Sequence, residues 1–437
     1  MKNNKILSEH FSILKYAIRW TLLILPVAIA IGSLVALFLW LLNGAIHFRF
    51  QHTWLPFLLP LAGVLIHFIY QSVGKSSEKG NNLIIDEIHL PGGGVPPQMA
   101  PVILITTVIT HLFGGSAGRE GTAVQIGGSV ANLFSRWYNL NEADTKMILT
   151  AGIAAGFGAV FGTPLTGAIF AMEVLAIGKI KYNALLPALI ASVIGDLTVS
   201  AWGIHHTAYH LDIIAKGNYF FSKYLPVDLL LLGKVIIAST LFGFASYLFT
   251  QMVHGIKTFF SQIFKIQWLI PVIGGFIIIA LTYINGKPDY LGLGIDGQYA
   301  GAVTIPSAFH VGGVDTWSWL WKTLYTTLTL GTGFKGGEVT PLFYIGATLG
   351  NTLSILLDAP VSLFAALGFI AVFAGATNTP LACTIMGVEL FGSQYILFFA
   401  VACFTAYLFS GPSGIYSSQR IAVPKVLEEL KEDKEVL

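Results

Sequence analysis

The sequence predicts an all-α polytopic membrane protein with an internal duplication, and three observations predict it. Only 11% of its 437 residues are charged and 54% are hydrophobic, against about 25% charged in a soluble domain. Long stretches carry no Asp, Glu, Lys or Arg. Two separated stretches repeat each other in order. A mean hydropathy of +0.73 leaves too little polar surface to coat a soluble enzyme, which excludes that class. The net charge of +2, with no block of like charges, offers no field for nucleic acid.

A bilayer core about 30 Å thick takes about 20 apolar helical residues. Residues 20–46, 54–74, 147–172, 235–256 and 266–286 reach that length without an ionic side chain, and from 339 to 419 the only charges are Asp358 and Glu389. Shorter or glycine-broken apolar runs lie at 101–118, 121–135, 184–195, 297–314 and 323–334. Broken backbone in a membrane must find its hydrogen bonds in protein or in a wet cavity, so these runs are expected to line something. Ten or more helical segments are predicted, several of them not full spans.

Lys2, Lys5, Lys15 and Arg19 precede the first run, which makes residues 1–19 a cytoplasmic segment by the positive-inside rule. Ala28-Ile29-Ala30 resembles a signal-peptidase site, but sixteen further apolar residues follow it, so the run reads as an anchor. Residues 424–437 read as a short solvated cytoplasmic tail, with no soluble regulatory domain attached. Cys383 and Cys403 lie in apolar stretches away from any Cys/His cluster and read as packed thiols.

The repeat is visible in TPLTGAIFAMEV (163–174) and TPLACTIMGVEL (379–390), where Glu173 and Glu389 each follow their threonine by ten residues. Upstream, EGTAVQIGGSVANL (120–133) echoes EVTPLFYIGATLGNTL (338–353) if one residue is inserted, which gives Glu120 and Glu338 matching places. Two matches in the same order, separated by 216 and about 218 residues, indicate duplicated halves of roughly 20–220 and 221–423, the usual plan of a secondary transporter.

A carboxylate at membrane depth costs about 2.5–3.5 kcal/mol even on the lenient insertion scale, so each needs a partner or a task. Glu173 and Glu389 sit near helix ends and read as caps or partnered interfacial charges. Glu120 lies in GGSAGREGTAVQIGG and Glu338 in GTGFKGGEVTPLFYIG, each a glycine-rich break followed by an apolar helix. Such a break lets backbone N–H groups converge where the helix N-terminus adds about half a positive charge, which makes an anion site. A glutamate placed there competes with a transported anion until it is protonated, which couples the two ions. The other reading is that these glycines serve close helix packing.

Other motifs give less. His206 and His210 are spaced i,i+4 near Asp212 in GIHHTAYHLD, a possible metal pair, although a polar vestibule between spans fits the segment better. DEIH lacks the HExxH spacing, no GxSxG is present, Ser116 lacks an identifiable base, and Ile69 stands where a P-loop before Gly74-Lys75-Ser76 needs glycine. No catalytic residue, metal or cofactor is assigned, and an intramembrane enzyme is the minor alternative.

GREG at 118–121, TPL followed by Glu173, the break at 333–341 ending in Pro341, and Tyr416 in GPSGIYS occur in the order and spacing of one family. Over roughly residues 20–423 the chain resembles a CLC-family anion transporter. That resemblance implies two inverted-topology halves of tilted, partly re-entrant helices, a homodimer with one pathway per subunit, and both termini cytoplasmic in a bacterial inner (plasma) membrane. It implies that Glu120 is the gating glutamate, that the amides of Arg119, Glu120, Gly121, Glu338, Val339 and Thr340 line anion sites, and that the Tyr416 hydroxyl faces the central one.

The departures point to a branch. GNNLI places Asn81 where chloride-selective members have serine, Thr122 replaces a proline, GGEVTP adds Glu338, and Val174 stands at the inner proton-relay glutamate of chloride exchangers. These features are similar to the fluoride-exporting branch, implying fluoride/proton antiport that confers fluoride resistance, with Glu338 a candidate in the proton route. The alternative is a chloride/proton antiporter or a chloride channel.

Overall fold

The structure is a computed structural model and describes residues 2–207, 209, 211 and 228–425, with side chains from residue 10 onward. The first half begins with α1 (Lys2–Gln51), which runs unbroken past residue 20 and carries Pro26 inside it. It continues through α2 (Leu59–Ile69), α3 (Asn81–His89), α4 (Met99–Leu112), α5 (Glu120–Trp137), α6 (Glu142–Phe161), α7 (Pro164–Glu173) and α8 (Leu185–Ala201). The second half holds α9 (Leu229–Ile263), α10 (Leu269–Asn285), α11 (Ser318–Gly331), α12 (Val339–Leu356), α13 (Val361–Thr377), α14 (Pro380–Phe391) and α15 (Ile396–Phe409). A two-residue parallel pair, β1 (Ala176–Ile177) and β2 (Arg420–Ile421), ties the chain after α15 to the first half.

Six helical runs among the described residues are long and apolar enough to cross a membrane, and five shorter apolar ones are not. That agrees with the expected mixture of full and partial spans. The predicted tail helix after residue 425 lies outside the described residues.

The duplication is built into local structure. Helices α4 and α11 have 14 residues each, and α5 and α12 have 18 each. The turn from α6 to α7 repeats in that from α13 to α14: Gly162 (φ 72°) and Asn378 (φ 58°) end the first helix in the left-handed region, and Thr-Pro starts the next. Proline at N1 loses no helical hydrogen bond, and glycine or asparagine tolerates positive φ, so the residue types account for both turns.

At the centre lie α6 and α13, buried from Ile148 to Val160 and from Ser362 to Thr377. Both are apolar on every side, as a fully enclosed helix requires. Each packs backbone to backbone on the neighbouring broken helix: a methyl group on Gly152 of α6 would stand 2.5 Å from the Gly127 carbonyl of α5, and Gly368 of α13 is equally confined by Gly346 of α12. Close packing by small residues is therefore real within the helices. Cys383 and Cys403 are buried free thiols, as the sequence suggested.

Candidate anion and proton site

The glycines ahead of α5 and α12 have a different task. Gly118 N–H donates to the Gly337 carbonyl at 2.6 Å and Gly337 N–H to the Gly118 carbonyl at 2.8 Å, an antiparallel exchange that starts both helices from one point. Arg119 and Glu338 are the two N-cap residues. This corrects the sequence register: Glu338 corresponds to Arg119, and Glu120 to Val339, with no residue inserted. Matching the letter Glu to Glu misplaced the second half by one position, because the glycine backbone fixes the register.

Glu120, only 1% exposed, is the first residue of α5. Its Oε2 accepts the Arg119 amide at 3.0 Å and, from the other half, the Thr340 amide at 3.1 Å. Its Oε1 accepts the Thr340 hydroxyl and lies 3.9 Å from Arg119 Nε. Glu338 makes no side-chain cap on α12, so a carboxylate from the opposite half supplies it. The negative group thus sits where two helix N-termini present free amides, which is what the helix dipole and unpaired N–H groups favour.

Gly121, Asn81 and Glu338 meet beside it. A methyl group on Gly121 would lie 3.1 Å from Asn81 Nδ2, 3.1 Å from Gly337 Cα and 3.8 Å from Glu338 Oε2. Asn81 opens α3, after Gly80 at φ 58°, and its Oδ1 is buried without a hydrogen-bond partner. A third helix start therefore faces the same place. Val339 is buried at the first position of α12. Tyr416 is buried and within electrostatic reach of both Glu338 and Glu120. Two residues beside Tyr416 hold it in place: Ser418 N–H donates to Asn82 Oδ1 at 3.0 Å, and Gln419 Nε2 donates to the carbonyls of Val174 (3.0 Å) and Thr377 (2.9 Å), one in each half.

Thr122 is the third residue of α5, and its hydroxyl pairs with that of Thr107 on α4 at 2.7 Å. Val174, at the position of the expected relay, is apolar and 2% exposed. Beyond Glu120 lies a space of about 20 Å³ walled by Phe161, Phe343, Phe369 and Tyr209, room for roughly one water molecule. It shares Arg119, Thr207 and Ile295 with a cavity of about 360 Å³ that is also lined by His47, His205 and Asp296. His206 borders the small space in non-helical backbone, which supports the vestibule reading of GIHHTAYHLD. His210 and Asp212 lie outside the described residues, and among those described no cluster of three metal-ligating side chains occurs. The aromatic wall was not recognised in the sequence, where its members are spread over three helices and a loop and look like ordinary core.

The remaining acids are caps. Glu173 accepts the Leu381 and Ala382 amides at 3.0 and 2.7 Å at the start of α14. Glu389 accepts the Leu165 and Thr166 amides, both at 2.8 Å, and the Thr166 hydroxyl at 2.6 Å, at the start of α7.

The chain is similar to known proteins over most of its length. The model of the voltage gated chloride channel family matches residues 62–411. A chloride/fluoride channel protein of Pseudomonas syringae pv. tomato is 43% identical over 431 residues, 97% of this chain and 91% of that protein. The H(+)/Cl(-) exchange transporter ClcA of Vibrio vulnificus (strain YJ016) is 25% identical, over 70% of this chain and 68% of its own. The crystal structure of a CLC-type fluoride/proton antiporter superposes with a TM-score of 0.85 at 33% identity, covering 92% of this chain and 98% of that one. At 19% identity, the structure of a slow cyanobacterial Cl-/H+ antiporter (TM-score 0.74) shares 91% of this chain and 96% of its own, and shows the fold. The fold is therefore the all-α one of two inverted-topology repeats with tilted and re-entrant helices. The chain belongs to the voltage gated chloride channel, or CLC, family, as a multi-pass anion/proton transporter.

Proposed function

We propose that the protein exports fluoride from the bacterial cytoplasm in exchange for protons, as a homodimer in the inner (plasma) membrane with one pathway per subunit and both termini cytoplasmic. The observation that carries this reading is the sealed Glu120 carboxylate, held by amides and a hydroxyl from two helix N-termini. An anion that displaces it inherits those donors. Protonation removes the charge that holds the side chain there, so proton uptake and anion entry become linked. Glu338 is the one of the four acids that caps no helix, and it is partly exposed. It is therefore the group free to pass a proton, given that Val174 leaves the usual relay empty. The anion enters by way of Asn81, the amides of residues 338–340 and Tyr416, and leaves past Glu120 into the vestibule.

Fluoride is favoured over chloride by similarity to the chloride/fluoride channel protein at 43% identity and to the fluoride/proton antiporter structure at 33%, and by Asn81, Glu338 and Val174 as departures from the chloride exchangers. The test is flux from proteoliposomes. A fluoride electrode is expected to record efflux and a pH electrode coupled proton entry. Glu120→Gln, a mimic of the protonated state, is expected to uncouple or abolish exchange, and unchanged proton-coupled transport removes Glu120 from the mechanism. Asn81→Ser is expected to raise chloride transport relative to fluoride. Chloride exchange that outpaces fluoride in the wild type assigns the protein to the chloride-transporting alternative.

A further inference from the structure

We propose that the crevice between the end of α1, α2 and α10 holds one acyl chain of an anionic phospholipid, with its phosphodiester paired to Arg49. The crevice has a volume of about 520 Å³, within the range of sites that enclose a small organic ligand, about 300–1,000 Å³. Its walls are apolar, formed by residues such as Phe57, Ile278 and Leu291.

Arg49 also lines it, though only 6% exposed. Among the described residues no carboxylate pairs with Arg49, and its one hydrogen bond is from Nη1 to the His111 carbonyl at 3.0 Å. A guanidinium has five N–H donors in a planar fork, and a buried charge without a counter-ion is costly. The fork matches a phosphate bidentately. The apolar walls match an alkyl chain, which a bare inorganic anion would leave uncovered.

The mouth supports the same occupant. Phe57 and Tyr283 flank it at 50% and 71% exposure with ring centroids 6.0 Å apart, and Trp54 nearby is 54% exposed. Exposed aromatic residues gather at the headgroup level of a bilayer. The headgroup then lies at the mouth and the chain runs inward.

The occupant would brace the transport site. Arg49 holds the His111 carbonyl, and the His111 ring bridges the Thr107 and Ala117 carbonyls at 2.8 and 2.9 Å. A methyl group on Gly114 would touch Pro56 and Leu291 of the crevice wall at 3.4 Å. The loop supported in this way is the one that carries Gly118 to Glu120.

The test is lipid binding to the purified full-length protein, followed by the thermal unfolding midpoint, with short-chain phosphatidylglycerol against phosphatidylcholine of the same chains. Phosphatidylglycerol is expected to reach half its effect at about a tenfold lower concentration. Arg49→Gln is expected to erase that preference, and Ile279→Trp, which fills the crevice, to weaken both lipids even if the arginine variant fails to fold. Equal effects of the two lipids, phosphatidylglycerol binding untouched by Ile279→Trp, or the same shift from glycerol phosphate without chains would each overturn the proposal. The readout involves no transported ion, so failure of the fluoride reading leaves it standing.

Discussion

At Gly118 a single hydrogen atom in place of a side chain sets the geometry of the site. A methyl group there would stand 2.6 Å from Glu120 Oε2 and 3.0 Å from the Gly337 carbonyl. Either the carboxylate moves or the two breaks separate. Gly118→Ala is therefore expected to lower proton-coupled transport at least about tenfold in a protein that still expresses, an effect of roughly 1.4 kcal/mol or more. Gly92→Ala, which meets nothing within 4 Å, is the control and is expected to transport normally; equal rates for both variants would remove Gly118 from the site. Thr122→Pro tests the third position of α5. The third amide of a helix has no intrahelical partner, so proline fits the backbone, but the buried Thr107 hydroxyl loses its partner. A stability loss of about 1–3 kcal/mol is expected, read as a lower unfolding midpoint that Thr122→Ser does not share. The glycine flanks were enough to single out Glu120 and Glu338 in the sequence. Their one-position offset was not legible, because it depends on a backbone bridge between residues more than two hundred positions apart.

Three helix starts expose unpaired amides, and the chain satisfies them by exchange between halves. Glu120 serves α12, Glu173 serves α14 and Glu389 serves α7. The ten-residue spacing from threonine to glutamate placed Glu173 and Glu389 at helix ends in the sequence, and a capping role was the natural reading. That each caps the other half's helix was not legible, since spacing within a segment carries no information about its neighbour. Removing either carboxylate leaves two amides bare. Glu389→Ala and Glu173→Ala are each expected to cost about 0.5–2 kcal/mol, the range for a lost N-cap. Glutamine retains an acceptor oxygen and is expected to cost less. Thermal unfolding of the four variants in detergent decides this, and alanine variants as stable as the wild type would show that the amides find other acceptors.

The same exchanges decide what holds the whole molecule together. Hydropathy found most of the long helices, because burying a helix in lipid or protein requires apolar side chains either way, but the run 147–172 is broken between α6 and α7, and 266–286 holds the 17-residue α10, short of a full span. It could not separate lipid-facing helices from α6 and α13, which are apolar on all sides and enclosed by protein. Contacts between the halves include the Gly118–Gly337 bridge, the Glu120 cap and the two reciprocal caps, all of them polar and directional, beside apolar contacts such as Phe157 on Phe373. Lipid tails are as apolar as leucine, so apolar contact alone gives transmembrane helices little reason to associate. Association of the halves should therefore depend on these polar links more than on the covalent connection between α8 and α9. Two fragments made by opening the chain between Trp202 and Asp228, co-expressed with an affinity tag on one, are expected to co-purify. Adding Glu173→Ala and Glu389→Ala together should lower the recovered partner several-fold, whereas Gly92→Ala should not. Fragments that insert but never co-purify would show that the connection itself holds the halves in register, and that the exchanged caps follow assembly without driving it.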